Sequence, residues 1–285
     1  MFSVKDLVFR YPRNPTDTLK GFSFDVHDGE IFGLLGPSGV GKSTTQKILI
    51  KLLRNYQGEI QFQGKDLRSY DKNFYQTVGV GFEMPVHFSK LTAEENIRFF
   101  KQLYRNHIDT DALMKRLGLY PDRDKKVAEY SKGMKVRLNM VRAMLNDPNV
   151  LILDEPTNGL DPSNARIVKD IILEFKKKGG TVLLTTHLMS DVDELCDRVA
   201  FMSDGTIVET DDPKSLKIKY GTRTLEVEYE NGGFSKRTYN LDGLGSNEEF
   251  LEIIRNHRIV TIHSKETTLD DIFIKVTGGN HHERT

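Results

Sequence analysis

Eight consecutive residues, Gly36, Pro37, Ser38, Gly39, Val40, Gly41, Lys42 and Ser43, satisfy the spacing G-x-x-x-x-G-K-[ST], and Thr44 follows as a further candidate for the nucleotide. Phosphate needs a dense array of donors. Glycines let the backbone curl so that successive N–H groups point inward, and a helix starting at the end of the turn adds the partial positive charge of its N-terminus. Lys42 is expected to reach the β- and γ-phosphates of a nucleoside triphosphate, and Ser43 to ligate Mg²⁺. Further along, two adjacent carboxylates, Asp154 and Glu155, close the apolar run Val150, Leu151, Ile152, Leu153. Neighbouring side chains on a strand point to opposite faces, so the pair can divide two jobs: Asp154 toward the hydrated metal, Glu155 toward an attacking water. A second apolar run, 182–186, ends in His187, placed to sense or stabilise the γ-phosphate from the same edge of a sheet.

These residues need a scaffold that brings three strand ends together. The runs 2–4, 7–9 and 19–26 read as strands, Asp28 and Gly29 as a turn, and the apolar run 31–35 leads straight into the glycine-rich turn. Helical spacing follows over 41–53, a short strand over 59–62, and helices over 92–105 and 109–117. Next come a helix over 133–145, a buried strand over 150–153, a helix over 163–177 and a buried strand over 181–185. Strands alternating with helices point to an α/β fold with a mostly parallel core sheet covered on both faces. Past Asp211, Asp212 and Pro213, a short helix to about Tyr220 precedes alternation at Leu225, Val227 and Tyr229, a hairpin turn at Asn231, Gly232 and Gly233, and a strand over 234–239. A helix over 247–254, a strand over 258–262 and a helix over 269–276 complete a small α+β appendage. The expected division is therefore 1–220 and 221–285.

The 285 residues suffice for one large α/β domain with a small companion. Lys plus Arg and Asp plus Glu both number 41, so net charge gives no reason to expect a nucleic-acid partner. The single cysteine, Cys196, cannot form an internal disulfide, and the first residues lack the charged start and apolar stretch of a secretory signal. A reducing cytoplasm is expected. No apolar run nears the ~18 residues that cross a bilayer, so a membrane process would need its span from another subunit.

In this order the pieces resemble the nucleotide-binding domain of ABC transporters over residues 1 to about 220. Tyr130, Ser131, Lys132, Gly133 and Met134 resemble the ABC signature in a variant form. Ser131 is placed to cap the helix that follows, and the N–H groups near Gly133 offer an anion site. The resemblance implies a P-loop NTPase with an N-terminal antiparallel β subdomain and a helical subdomain over about 84–147. It also implies that Ser131 and Gly133 contact ATP held by a second copy, giving two composite sites in a head-to-tail dimer. Asn158, Gly159, Leu160 and Asp161 resemble the D-loop that communicates across that interface, His187 matches the switch histidine, and Tyr11 lies where the family stacks an aromatic ring on adenine. Such a chain hydrolyses ATP at the cytoplasmic face of a membrane, held there by a separate transmembrane permease.

Three departures from the family pattern stand out. Lys132 and Met134 replace the usual glycine and glutamine of the signature, and Glu83, within Gly81, Phe82, Glu83, Met84 and Pro85, occupies the position of the Q-loop glutamine that links Mg²⁺ to the membrane subunit. The stretch 267–278 resembles a tail of drug, polysaccharide and lipid exporter ATPases, which leans the reading toward export; its apolar stripe is expected to pack on the appendage. His281 and His282 read as solvated. The competing reading is a soluble ABC-type ATPase acting on the ribosome or on chromosomes. Ribosomal members usually carry two cassettes where this chain has one phosphate cradle, and residues 45–129 are too short for the coiled coils of chromosome-type members. A small-molecule kinase leaves the signature unexplained, and a regulator without turnover leaves Glu155 and His187 so.

Overall fold

Val150–Asp154 and Thr181–Thr186 are buried at every position. Alternation explains it: Val150, Ile152 and Leu183 join one apolar core, whereas Leu151, Leu153, Val182 and Leu184 join another on the opposite face. The computed structural model describes residues 1–84, 87–221, 223–265 and 267–277, and the chain forms two compact units, Met1–Asp212 and Pro213–Thr285.

In the first unit, the described residues of the core sheet run in the order Thr206–Asp211, Arg198–Ser203, Ile31–Leu35, Thr181–Thr186, Val150–Asp154, Val78–Gly81. Every neighbouring pair is parallel except the first, a hairpin turned by Asp204 and Gly205 at φ 46° and 77°. The C-terminal ends of the parallel strands therefore share one edge, and that edge receives residues 36–44, Glu83, Glu155 and His187. An antiparallel sheet of Leu19–Val26, Phe2–Phe9, Gln57–Phe62 and Lys65–Asp66 contributes Phe2, Val4, Phe22 and Phe24 to the core shared with Phe32 and Leu34. Helices Ala93–Lys101, Thr110–Arg116 and Lys132–Met144 bury Ile97, Met114 and Leu138 in the other core, with Leu151 and Leu153.

Two helices stop short of their sequence expectation. The helix expected over 41–53 is Lys42–Leu49, because Lys51 turns left-handed at φ 62° and the N–H groups of Leu52 and Leu53 both return to Lys47 O, at 2.9 and 3.1 Å. The helix expected over 92–105 is Ala93–Lys101. Beyond it the Gln76 amide clamps the backbone, donating to Leu103 O at 3.1 Å and accepting from Arg105 N at 3.0 Å. Val78–Gly81, Met189–Leu195 and the 198–211 hairpin were outside the expectation altogether.

In the second unit, Phe234–Asn240, Thr224–Glu230 and Arg258–Lys265 form an antiparallel sheet whose Leu225, Val227, Tyr229 and Tyr239 pack with Ile253 of helix Glu248–Asn256. Helix Pro213–Tyr220 packs against helix Leu269–Thr277, with Lys275 Nζ donating to Tyr220 O at 3.0 Å. The compact units accordingly meet at 212/213, ahead of the expected 220/221. Residues 278–285, with His281 and His282, lie outside the described residues.

Candidate active site

The glycine-rich turn holds its shape because side chains are excluded from it. A Cβ on Gly36 would sit 2.5 Å from Met202 O, and one on Gly41, at φ 111°, would sit 2.5 Å from Leu19 Cδ2. No side chain caps helix Lys42–Leu49 at Gly41, which leaves its first N–H groups for an anion. Lys42 is buried and folds back over the turn, donating to Gly36 O at 2.6 Å and Pro37 O at 3.0 Å. Burial holds its pKa below the ordinary lysine value, against the opposing pull of Glu155, Asp154 and Glu83. A cavity of about 120 Å³ opens here, lined by Ser38, Gly39, Gly41, Lys42, Ser43, Thr44, Glu83, Asp154 and Glu155. That volume, with three acids and a lysine on its walls, suits a polyphosphate tail with its cation and not a large apolar ligand.

Both carboxylates of the acidic pair are 7 % exposed and held in place. The Thr185 hydroxyl donates to Asp154 Oδ1, while the Gln46 amide nitrogen faces Asp154 Oδ2 at 3.3 Å. Glu155 sits at φ 49°, a left-handed conformation that non-glycine residues adopt reluctantly, and its N–H donates to Thr185 O at 2.9 Å. Its Oε2 accepts from the Thr186 hydroxyl at 3.2 Å, and its Oε1 pairs with His187 Nδ1 at 2.8 Å. A carboxylate only accepts, so the proton of this pair sits on Nδ1 and the Nε2 edge of the ring is turned away from Glu155.

Tyr11 reaches the rim, its hydroxyl 3.3 Å from Thr44 Oγ1 and its ring packed edge-on against Phe9. Val40 is buried beside the turn. Ser131, Gly133 and Asp161 do not line the cavity of their own chain. Ser131 caps helix Lys132–Met144, accepting from Met134 N at 3.2 Å, and Asp161 caps helix Pro162–Lys177, accepting from Asn164 N at 3.0 Å. Gly133 and the D-loop are neighbours: a Cβ on Gly133 would lie 3.6 Å from Gly159 O.

Sequence reasoning overlooked the residues that hold the acids. Thr185, Thr186 and Gln46 do so, each across a contact between segments far apart in sequence. It also missed Asn139, which donates to Phe82 O at 2.8 Å and so anchors the segment carrying Glu83. Behind the 156–161 loop, the Thr157 hydroxyl donates to Asp191, and Lys169 pairs with Asp191 at 2.8 Å and Glu194 at 3.1 Å.

Residues 19–158 match the family model described as ABC transporter, and residues 223–266 match one described as fluoroquinolone efflux ABC transporter C-terminal domain. The fluoroquinolones export ATP-binding protein of Mycobacterium tuberculosis (strain H37Rv) is 49% identical over 278 residues, covering 96% of this chain and 92% of that protein. The Nod factor export ATP-binding protein I of Burkholderia lata is 31% identical over 280 residues, covering 91% of this chain and 92% of that protein. Among solved structures, an ATP-binding subunit of an ABC transporter superposes with a TM-score of 0.71 at 29% identity, over 77% of this chain and 93% of that one. A dimeric ATP-binding cassette in a post-hydrolysis state with ADP and Pi superposes with a TM-score of 0.68 at 23% identity, over 74% and 98%, a likeness of fold.

Proposed function

The chain belongs to the ABC transporter ATP-binding family, binding and hydrolysing ATP to drive transport, and from that premise we propose how its residues divide the work. The observation that carries the proposal is Glu155, buried on the wall of the phosphate cavity with one hydrogen-bond partner on each oxygen. Each oxygen keeps a second lone pair, so Glu155 accepts the proton of a water attacking the γ-phosphate. His187 orients that carboxylate and presents Nε2 toward the reacting group. Lys42 releases the two turn carbonyls and takes the β- and γ-phosphates instead. Tyr11 lies against adenine.

Ser43, Asp154 and Glu83 supply a hydroxyl and two carboxylates to one cavity, an all-oxygen set that fits Mg²⁺. Bound there, the ion would neutralise charge on the phosphate oxygens. Ser131, Gly133 and Asp161, turned away from their own cavity, serve the ATP of a second copy in a head-to-tail dimer. No helix among the described residues is long and apolar enough to cross a membrane. In this reading a separate permease supplies the span and holds the chain at the cytoplasmic face.

Glu155→Gln should keep ATP binding, slow hydrolysis by at least ~10²-fold, and leave an ATP-held dimer on a sizing column. Wild-type turnover would move the base elsewhere. The 49% relative and the C-terminal match favour export of a fluoroquinolone-like cargo. In cells carrying this chain with its permease, drug accumulation should rise on Glu155→Gln; equal accumulation would discard that cargo.

A further inference from the structure

The helix whose first residue is Lys42 has a second cavity at its other end. Eight residues span about 12 Å at 1.5 Å per residue, so this cavity is distinct from the phosphate cradle. It measures about 400 Å³, the scale of a small-molecule site. Ile48, Leu53 and Leu67 give it an apolar floor, and Tyr56, Tyr70 and Tyr75 give it aromatic walls.

Its rim is cationic. Lys51, Arg54, Arg68 and Lys72 line it against a single acid, Asp71. Asp71 is already engaged, its two oxygens accepting from Asn73 N and Nδ2 at 2.9 and 3.0 Å. Arg68 is engaged too, donating to Tyr56 O and Gly58 O at 3.0 and 3.2 Å with its guanidinium 4.3 Å over the Tyr56 ring. Among the described residues no ion pair neutralises Lys51, Arg54 or Lys72. The negative end of the helix dipole accounts for one favourable cation, not for three gathered on one rim. Lys51 adopts its left-handed turn with Nζ held on Tyr70 O, which keeps the ammonium at the cavity in spite of Arg54 beside it.

An independent observation comes from Tyr56. The residue is 8 % exposed, and its buried hydroxyl has no hydrogen-bond partner among the described residues. Buried hydroxyls are nearly always paired, and this one finds no acceptor among the described residues. Cations outside any direct ion pair, a phenol with no acceptor among the described residues and aromatic walls have one chemistry in common.

We propose that this cavity binds a phosphate group carried on an apolar or aromatic body, with Lys51, Arg54 and Lys72 taking the charge and Tyr56 donating to a phosphate oxygen. The phosphate comes either from a soluble organic phosphate or from a phospholipid headgroup, and two probes separate these. Full-length protein with its ATP site saturated by Mg-ADP is titrated calorimetrically with phenyl phosphate, and separately floated with phosphatidylcholine vesicles with or without phosphatidylglycerol. Saturable binding of one or both probes is expected, weakened at least ~tenfold by Arg54→Gln with Lys72→Gln. Tyr56→Phe, which keeps the ring, should weaken it about threefold, an effect diffuse surface charge would not give. Binding of phenyl phosphate alone marks a soluble ligand; capture by phosphatidylglycerol vesicles marks a lipid. ADP affinity, unchanged in all variants, certifies the fold. No saturable binding of either probe, or binding that the double variant leaves intact, overturns the proposal.

Discussion

The phosphate cradle and the signature segment each open a helix, yet the two helix starts are finished differently. Helix Lys42–Leu49 starts without a side-chain cap and opens on a cavity whose remaining walls are Lys42, Asp154 and Glu155, all buried, and Glu83. Helix Lys132–Met144 is capped by its own Ser131, and Ser131 and Lys132 stand exposed, away from that cavity. Chemistry is assembled and buried within one chain; the signature is finished as a surface. A cradle closed within the chain and a signature left on its surface is the arrangement our proposed composite dimer requires.

The comparison breaks first at Lys42. Its ammonium is the cradle's own cation and already lacks solvent, so ATP oxygens would meet it at short range in a medium that screens poorly. Lys42→Ala should weaken ATP binding by at least ~10²-fold, the scale of a lost charge-assisted contact in a partly dehydrated site. Equal affinity of mutant and wild type in a nucleotide titration would remove the cradle assignment.

A sharper test asks whether the outward half works in trans. Ser131→Arg chains and Lys42→Ala chains should each be nearly inactive alone. Mixed one to one, half the dimers pair the two variants and each such dimer keeps one complete site, so turnover should recover to roughly a quarter of wild type. No recovery on mixing, or turnover linear in concentration from a strictly monomeric species, would put all the chemistry within one chain.

The two halves were not equally legible in the sequence. The cradle, the acidic pair and His187 could be read because each ends an apolar run buried on both faces, and such runs are continuous where a one-sided strand alternates. Val78–Gly81 was illegible for the opposite reason. A Cβ on Gly79 would collide with Ala143 O, so this strand carries glycine where strands usually carry branched side chains, and it reads as a loop. The hairpin from Arg198 to Asp211 escaped notice although Asp204 and Gly205 carry its turn signature. Ser131 was readable as a cap because capping depends on a residue and its next three neighbours alone, whereas Asp161, which caps helix Pro162–Lys177, was read only through its likeness to the D-loop. The threonines and Gln46 that hold Asp154 and Glu155 were not legible, since their role exists only once strands distant in sequence lie side by side.

The smallest expected effect is at Glu83, where the family resemblance leads one to expect a glutamine. Glu83 is exposed yet lines the phosphate cavity, and its charge acts on Lys42 together with those of Asp154 and Glu155. A glutamine there would be neutral. Without metal, the extra carboxylate should repel a triphosphate that already faces two acids across the cavity. With Mg²⁺ present the same carboxylate is a harder and better ligand than an amide, so the cation offsets the repulsion. Glu83→Gln should therefore strengthen metal-free ATP binding relative to Mg-ATP binding. The ratio of the two affinities should move by roughly threefold to tenfold, the size of a unit-charge interaction a few ångströms from solvent. Calorimetric titration of both proteins with ATP, once with Mg²⁺ and once with chelator, measures that ratio directly. If it does not change, Glu83 lies outside the metal's reach, and the Asn139 anchor on Phe82 O holds that segment for some purpose other than the cation.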